Sequence, residues 1–369
     1  MASSQGTAPI NPPANPAAGH QLGINGHGPT PVPQLPTNGN GSAAVAADAS
    51  SSNRVSDSDG GVGQDNAADL DHRLLYGRTY HAYRDETGGA NIDGYKPYFV
   101  PNDEVEFRRM NLQHDLVTSA LDYRLYSCPA GVDAPLRNVL DASCGTGIWT
   151  VQLRRTQTPE SVLGVDISPW APDPKPPNAY FNEHDLDMDW EYRVQFDLIY
   201  ARFLAGSITN WPKFFGQAYQ NIQPGGWLEM VDFLYPITSV HGSIPRESAL
   251  YRWNIGLVEA SRALGVNLNC SRDYQQQMRL AGFQNVSRQE HSWPLGIWPQ
   301  SRRGKYMGRR ALQNTIESLH GLTLLPFTRG LNWSVEQANS LRESTAQDLR
   351  NLGLRVRFRL IVVYGQKAL

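Results

Sequence analysis

The chain is 369 residues long, 40% hydrophobic and 18% charged, with 33 Gly and 25 Pro. That length admits two or three domains or one large domain with additions, and the composition implies that part of the chain does not fold. A formal charge of −2 argues against a dedicated duplex-binding protein, whose affinity rests on neutralising phosphates.

Residues 1–70 are the part without a core. They contain no Phe, Trp, Tyr, Cys or Lys, while Pro, Ser, Gly, Asn and Ala dominate. Such a segment buries too little apolar surface to offset its ordering entropy, so a disordered tail is expected. Arg54 against Asp48, Asp57, Asp59, Asp65 and Asp69 gives the tail −4, and −2 less −4 leaves +2 for residues 71–369. No stretch reaches the roughly 18 consecutive apolar residues of a membrane span. The N-terminus also lacks the charged start and apolar middle of a secretory signal, so an intracellular protein is expected.

Structure is expected from Leu74, where Tyr76, Tyr80, Tyr83, Tyr95, Tyr98 and Phe99 supply aromatic mass, with a Gly-rich loop at 86–93. Asp103 followed by Glu106 resembles a capping box, and Met110, Val117, Ala120 and Leu121 share one face of a helix over 103–126. Residues 74–127 therefore read as an N-terminal cap. Cys128, Cys144 and Cys270 are widely spaced with no CxxC, so buried free thiols are expected, with no disulfide framework or metal site.

Short apolar runs at Val139–Leu140, Val162–Val165, Leu198–Tyr200 and Trp227–Val231 then alternate with segments of helical length. This predicts a parallel sheet with crossover helices over a core at 136–235. Pro169, Pro172, Pro174, Pro176 and Pro177 make one crossover a loop. Beyond it, 246–264 and 271–281 read as helices, the second ending at Gly282, and 284–291 and 355–364 as strands. Helices at 303–319 and 335–351 interrupt that pair and would cover the ligand-binding edge, so 236–369 reads as lid and C-terminal strands.

Arg137–Thr150, RNVLDASCGTGIWT, sets an apolar strand, an acid, a Gly-containing turn and a helix start in succession. Gly145 and Gly147 permit close backbone approach, and the helix N-terminus offers N–H groups to a carboxylate or phosphate. The dinucleotide fingerprint wants Gly where Thr150 stands, and no Lys-Ser or Lys-Thr follows for a Walker loop. The motif suits S-adenosylmethionine. Asp141 would meet its ammonium and the amides of Gly145 to Gly147 its carboxylate. Asp166, 25 residues on at a second strand end, would accept from the ribose hydroxyls, with Ile167 on the adenine. Asp185, after a further short strand, would accept from the adenine amine, with Leu186 on the other ring face. Singly, Asp141 or Asp166 reads as a loop acid or helix cap; in order, the three point to a methyl-donor fold.

The turn resembles the class I methyltransferase motif. Its flanks are GRTYHAYR at 77–84, VPNDEVEFRRMNLQH at 100–114, CGTGIWT at 144–150, DLIYARFLAGSITNWPKFF at 197–215 and QPGGWLEMVDF at 223–233. Together they resemble the fungal LaeA-like methyltransferases over about residues 77–369. The Tyr80-His81 pair, the Asn102-Asp103-Glu104 helix start and the Gly-Ile-Trp after the turn make the likeness specific. It implies an α/β, Rossmann-like fold: a mostly parallel seven-stranded sheet with helices on both faces and helical lid insertions. It also implies regulation of secondary metabolism, transcription and sporulation, velvet-family partners and a location in the nucleus and also the cytoplasm. Tyr80 joins the donor-binding set on the same ground. Three departures stand out: Ser143, also placed at the donor, replaces the family's first turn Gly; the 86–93 segment is longer; and Phe203 stands where the best-known member has a Met, so self-methylation there is not carried over.

No catalytic base emerges. His81, His184, His241, His291 and His320 are candidates by type and read more simply as structural or surface histidines. Tyr200-Ala201-Arg202-Phe203 lacks the Asn/Asp-Pro-Pro-Tyr/Phe element of base methylation, and no glutamate pair supports arginine methylation. Arg302, Arg303, Lys305, Arg309 and Arg310 form a basic cluster, a solvated face or a docking patch. The expected function is that of a LaeA-like nuclear regulator acting within a velvet-type protein complex, with a natural-product O- or N-methyltransferase and a donor-binding scaffold without turnover as the alternatives. None calls for direct nucleic-acid binding.

Overall fold

The structure, a computed structural model, describes residues 72–81, 98–170 and 174–369. The tail at 1–70 and the 86–93 segment lie outside the described residues. A hairpin comes first, β1 (His72–Leu75) and β2 (Arg78–His81), followed by α1 (Glu104–Ala120). Asp103 caps α1 by accepting from the Glu106 amide at 3.0 Å, and it also pairs with Arg78 of the hairpin. The helix expected to reach 126 stops at Ala120, and Asp122 and Tyr123 take positive φ there. Glu106, the expected partner in a capping box, turns instead to Arg109 at 2.7 Å.

The core then runs β3 (Asn138–Ala142), α2 (Ile148–Gln157), β4 (Ser161–Asp166), β5 (Ala179–Glu183), β6 (Phe196–Arg202), α3 (Trp211–Asn221) and β7 (Ile222–Ser239). It continues through α4 (Ala249–Ala263), α5 (Tyr274–Leu280), β8 (Gln284–Pro294), α6 (Arg302–Leu325), α7 (Val335–Arg350) and β9 (Val356–Gln366). The seven strands lie in the order β5-β4-β3-β6-β7-β9-β8, parallel except for β9, which runs against both neighbours. This is the class I methyltransferase fold, Rossmann-like with a mostly parallel sheet, as expected. Phe196 to Ala201 of β6 are all buried, which requires cover on both faces of the sheet.

The crossover from β4 to β5 has no helix among its described residues, as its prolines dictate. β5 escaped the pattern of apolar runs because it is an edge strand on which only Ala179 is buried. Order reverses at β3, so a crevice opens at the carboxyl ends of β3, β4 and β6, where α/β sheets bind ligands. Over it lie α1 and α6, joined by Arg109 to Asn314 at 3.1 Å, Arg310 to Asp115 at 3.0 Å and Arg303 to Asp122 at 2.7 Å. Two of the five cations of the basic cluster are thus spent on packing the lid.

Candidate functional site

The turn after β3 is held from three sides. Ser143, at φ +83°, occupies a conformation that favours glycine, and its hydroxyl donates to the Arg202 carbonyl at 2.8 Å. Gly145 (φ +51°) donates its amide to Asp166 Oδ2 at 2.9 Å, and its carbonyl accepts from the Trp170 amide at 3.0 Å. Thr146 donates to Asn111 of α1 at 2.7 Å. Phe107 of α1 stacks on Trp170, with centroids 5.2 Å apart.

Beside this turn lies a cavity of about 1030 Å³, part of it open to solvent. Five of the nine residues expected at the donor line it: Ser143 at the turn, Asp166 and Ile167 after β4, and Asp185 and Leu186 after β5. Cys144, Thr146 and Ile148 complete the turn side. Asp166 is half-buried and its pKa is raised, burial outweighing the amides of Gly145 and Ser168 that favour the carboxylate. Asp185 is buried and accepts from the Asp187 amide at 2.9 Å.

Four expected residues do not line the cavity. Gly145 and Gly147 shape the turn through their positive φ. Asp141 is buried under it, bonded to the Thr150 hydroxyl at 2.8 Å. Its other oxygen has no hydrogen-bond partner among the described residues, and burial lifts its pKa to about 6 against the pull of Arg202. Thr150, where a dinucleotide turn has Gly, thus has a job of its own. Tyr80 packs the hairpin onto α6, its buried hydroxyl 3.5 Å from His320 Nδ1, whose Nε2 donates to the Tyr76 carbonyl. Trp149 is core too, stacked 4.3 Å from Tyr200.

The residues that sequence reasoning missed come from α1 and the end of β6: Arg109, Met110, Gln113, His114 and Arg202 all line the cavity. Arg202 donates to His114 Nδ1 at 3.0 Å and His114 Nε2 donates to Gln152 at 2.5 Å, which fixes the tautomer. Burial, then Arg202, holds the His114 pKa down at about 3, so the ring is neutral at pH 7. The available signal was Arg109 and Gln113, polar residues one turn apart, with His114 beside them on the same helix. Of the histidines singled out from sequence, His184 reaches the cavity; burial lowers its pKa and its Nε2 has no partner among the described residues.

Acids at the ends of two adjacent strands, apolar residues beside each, and a turn leading into a helix N-terminus form a site for a nucleoside joined to an amino acid. Residues 111–288 match the model of a methyltransferase domain. Methyltransferase pytC of Aspergillus terreus is 30% identical over 297 residues, 80% of this chain and 88% of that protein. Probable methyltransferase tdiE of Emericella nidulans is 28% identical, over 77% and 89%. Protein-methionine methyltransferase laeA of Emericella nidulans is 28% identical, over 74% and 71%. The chain is an S-adenosylmethionine-dependent methyltransferase. It belongs to the LaeA-like class I methyltransferase family.

Proposed function

We propose that the chain methylates a small-molecule acceptor in secondary metabolism, with S-adenosylmethionine held in the cavity at the carboxyl ends of β3, β4 and β6. The observation that carries this is the set of side chains facing one cavity, Asp166 and Asp185 from two adjacent strand ends and Ser143 and Thr146 from the turn. Bound there, S-adenosylmethionine supplies a methyl group on a sulfonium, activated for displacement. Asp166 would hold the ribose hydroxyls and Asp185 the adenine amine, with Ile167 and Leu186 against the ring. The turn and the start of α2 would meet the carboxylate. The unpartnered oxygen of Asp141 suits the ammonium, reached through water or a shift of the turn.

Displacement at a sulfonium carbon asks for alignment and exclusion of water. Covering the donor cavity, α1 supplies both, and neutral His114, bonded at both nitrogens, acts as wall rather than base. Calorimetric titration with S-adenosylhomocysteine tests the donor site: stoichiometric binding is expected, and its absence would end the reading.

A second reading makes the protein a LaeA-like regulator of transcription and sporulation, located in the nucleus and cytoplasm and joined to velvet-family proteins. Relatives named secondary metabolism regulators, such as laeA of Aspergillus flavus at 28% identity over 74% of the chain, support it. Arg302, Lys305 and Arg309, exposed on α6, would serve as its docking patch. Co-purification of a velvet-family protein with the tagged chain, lost on charge reversal at these three positions, would favour this reading.

A further inference from the structure

A second cavity of about 770 Å³ adjoins the first, sharing Tyr98, Arg109, Gln113, Phe203 and Ser207 as a common wall. Its remaining lining comes from elements far apart in sequence: residues 99–100 and 205–206, α6, the end of β7, Leu268 and Phe358 of β9. It is therefore a chamber between the lid and the strand ends, part of it open to solvent.

The walls set an aromatic side against neutral polar groups, Gln113, Asn314, Thr315 and Ser318 among them. Phe203 lies 5.1 Å from Phe233, Phe233 stacks on Phe358 at 4.6 Å, and Phe358 meets Tyr235 at 5.5 Å, forming a continuous aromatic wall that starts at the donor cavity. Two charged residues are among the described lining, and both are satisfied from within. Arg109 is bonded to Glu106, Gln113 and Asn314. Asp232 accepts from the amides of Ala205 and Phe233 at 2.9 and 2.8 Å and from the Tyr274 hydroxyl at 3.0 Å. Burial raises the Tyr98 and Tyr235 phenols above their ordinary range, so they stay neutral. A charged ligand would lose its hydration and find no free counter-charge, whereas a neutral aromatic ligand would meet ring faces.

We propose that this chamber is the acceptor site and that it takes an uncharged, aromatic small molecule bearing a hydroxyl or amino nucleophile. The inference rests on the methyl-transfer reading above. In the transfer, the acceptor's oxygen or nitrogen attacks the methyl carbon. The carbon–sulfur bond breaks with its electron pair going to sulfur, leaving a neutral thioether, and the acceptor's proton passes to solvent.

Nile red, a neutral polycyclic dye, serves as the probe, titrated against the protein with S-adenosylhomocysteine present. Ser318, which lines the second cavity and not the first, lies on α6, where Ser318→Phe would fill the chamber. That variant is expected to weaken dye binding at least tenfold with unchanged S-adenosylhomocysteine affinity; Leu322→Trp is the alternative should it not fold. Uncharged 2-naphthol is expected to displace the dye and 2-naphthoate to fail. Equal dye binding by wild type and variant would overturn the proposal, as would stronger displacement by the naphthoate or by a methionine-containing peptide. If S-adenosylhomocysteine binds and the dye does not, the chamber proposal alone falls; if S-adenosylhomocysteine itself does not bind, the methyl-donor reading falls as well.

Discussion

Gly145 shows how one residue ties the turn to the lid. A Cβ added there would strike the terminal methyl of Met110, a donor-cavity residue, and φ is already in the left-handed region. The cost of Gly145→Ala is thus partly strain and partly Met110 driven into the donor's space. We expect it to lower S-adenosylhomocysteine affinity at least tenfold and Met110→Ala in the same chain to restore part of the loss; a double variant no better than the single would rule out the Met110 route. Asp166 makes a separate case. Its carboxylate faces the cavity from the end of β4, so Asp166→Ala should weaken binding by roughly 1–3 kcal/mol, the usual result of leaving polar partners unpaired. Calorimetry reads this directly, and unchanged affinity would remove the ribose assignment.

At the scale of elements, α1 depends on α6. Arg109 is buried with Glu106 and reaches Asn314 across the interface. Removing one partner of a buried pair costs about 3–5 kcal/mol, because the other charge is left uncompensated. Arg109→Ala should show that loss in urea unfolding, with faster amide exchange along α1 than along β6. Exchange rising equally in both would mean that the lid does not open separately from the sheet. The segment after α1 is fastened differently: Glu229 of β7 accepts from the amides of Ser127 and Cys128, at 2.8 and 2.6 Å to its Oε2. A buried acid on the interior strand β7 thereby fixes the approach of the chain to β3.

The whole molecule carries several buried acids whose pKa values burial raises: about 7 for Glu229 and Asp232, about 6 for Asp141. Each is above its ordinary value, so the folded state holds the proton longer than the unfolded state. The stability this confers is fully present below about pH 4 and is lost as pH rises through 6 to 7. His114, His184, His291 and His320, lowered by burial, act in the opposite sense. The acid contribution is therefore best read as a difference: between about pH 4.5 and 7, wild type should lose melting temperature relative to Asp232→Asn. A gain would reverse the sign argued here. The composition of residues 1–70 makes a further prediction, that a chain beginning at residue 71 keeps the melting temperature and donor affinity of the full chain. A fall in both would show that the tail contributes to the fold.

The sequence by itself determined the parallel sheet, the turn between β3 and α2, and the acids at successive strand ends. These are local: a strand, its terminal acid and a turn lie within a dozen residues, and their periodicity and residue types reflect backbone needs that no distant contact changes. It also marked the lid helices as insertions. It signalled β5 through the acid that follows it and not through an apolar run, because its exposed edge position removes the alternation that betrays a strand. Nor did it place Tyr80, since whether that ring faces a donor or α6 depends on a contact 240 residues away. The tertiary structure alone decided that Asp141 lies beneath the turn rather than in the cavity wall, that His114 and Arg202 meet, and that Phe203 stands between two chambers. Each joins residues far apart in the chain, and a cavity wall belongs to the packing of several elements rather than to any segment of sequence.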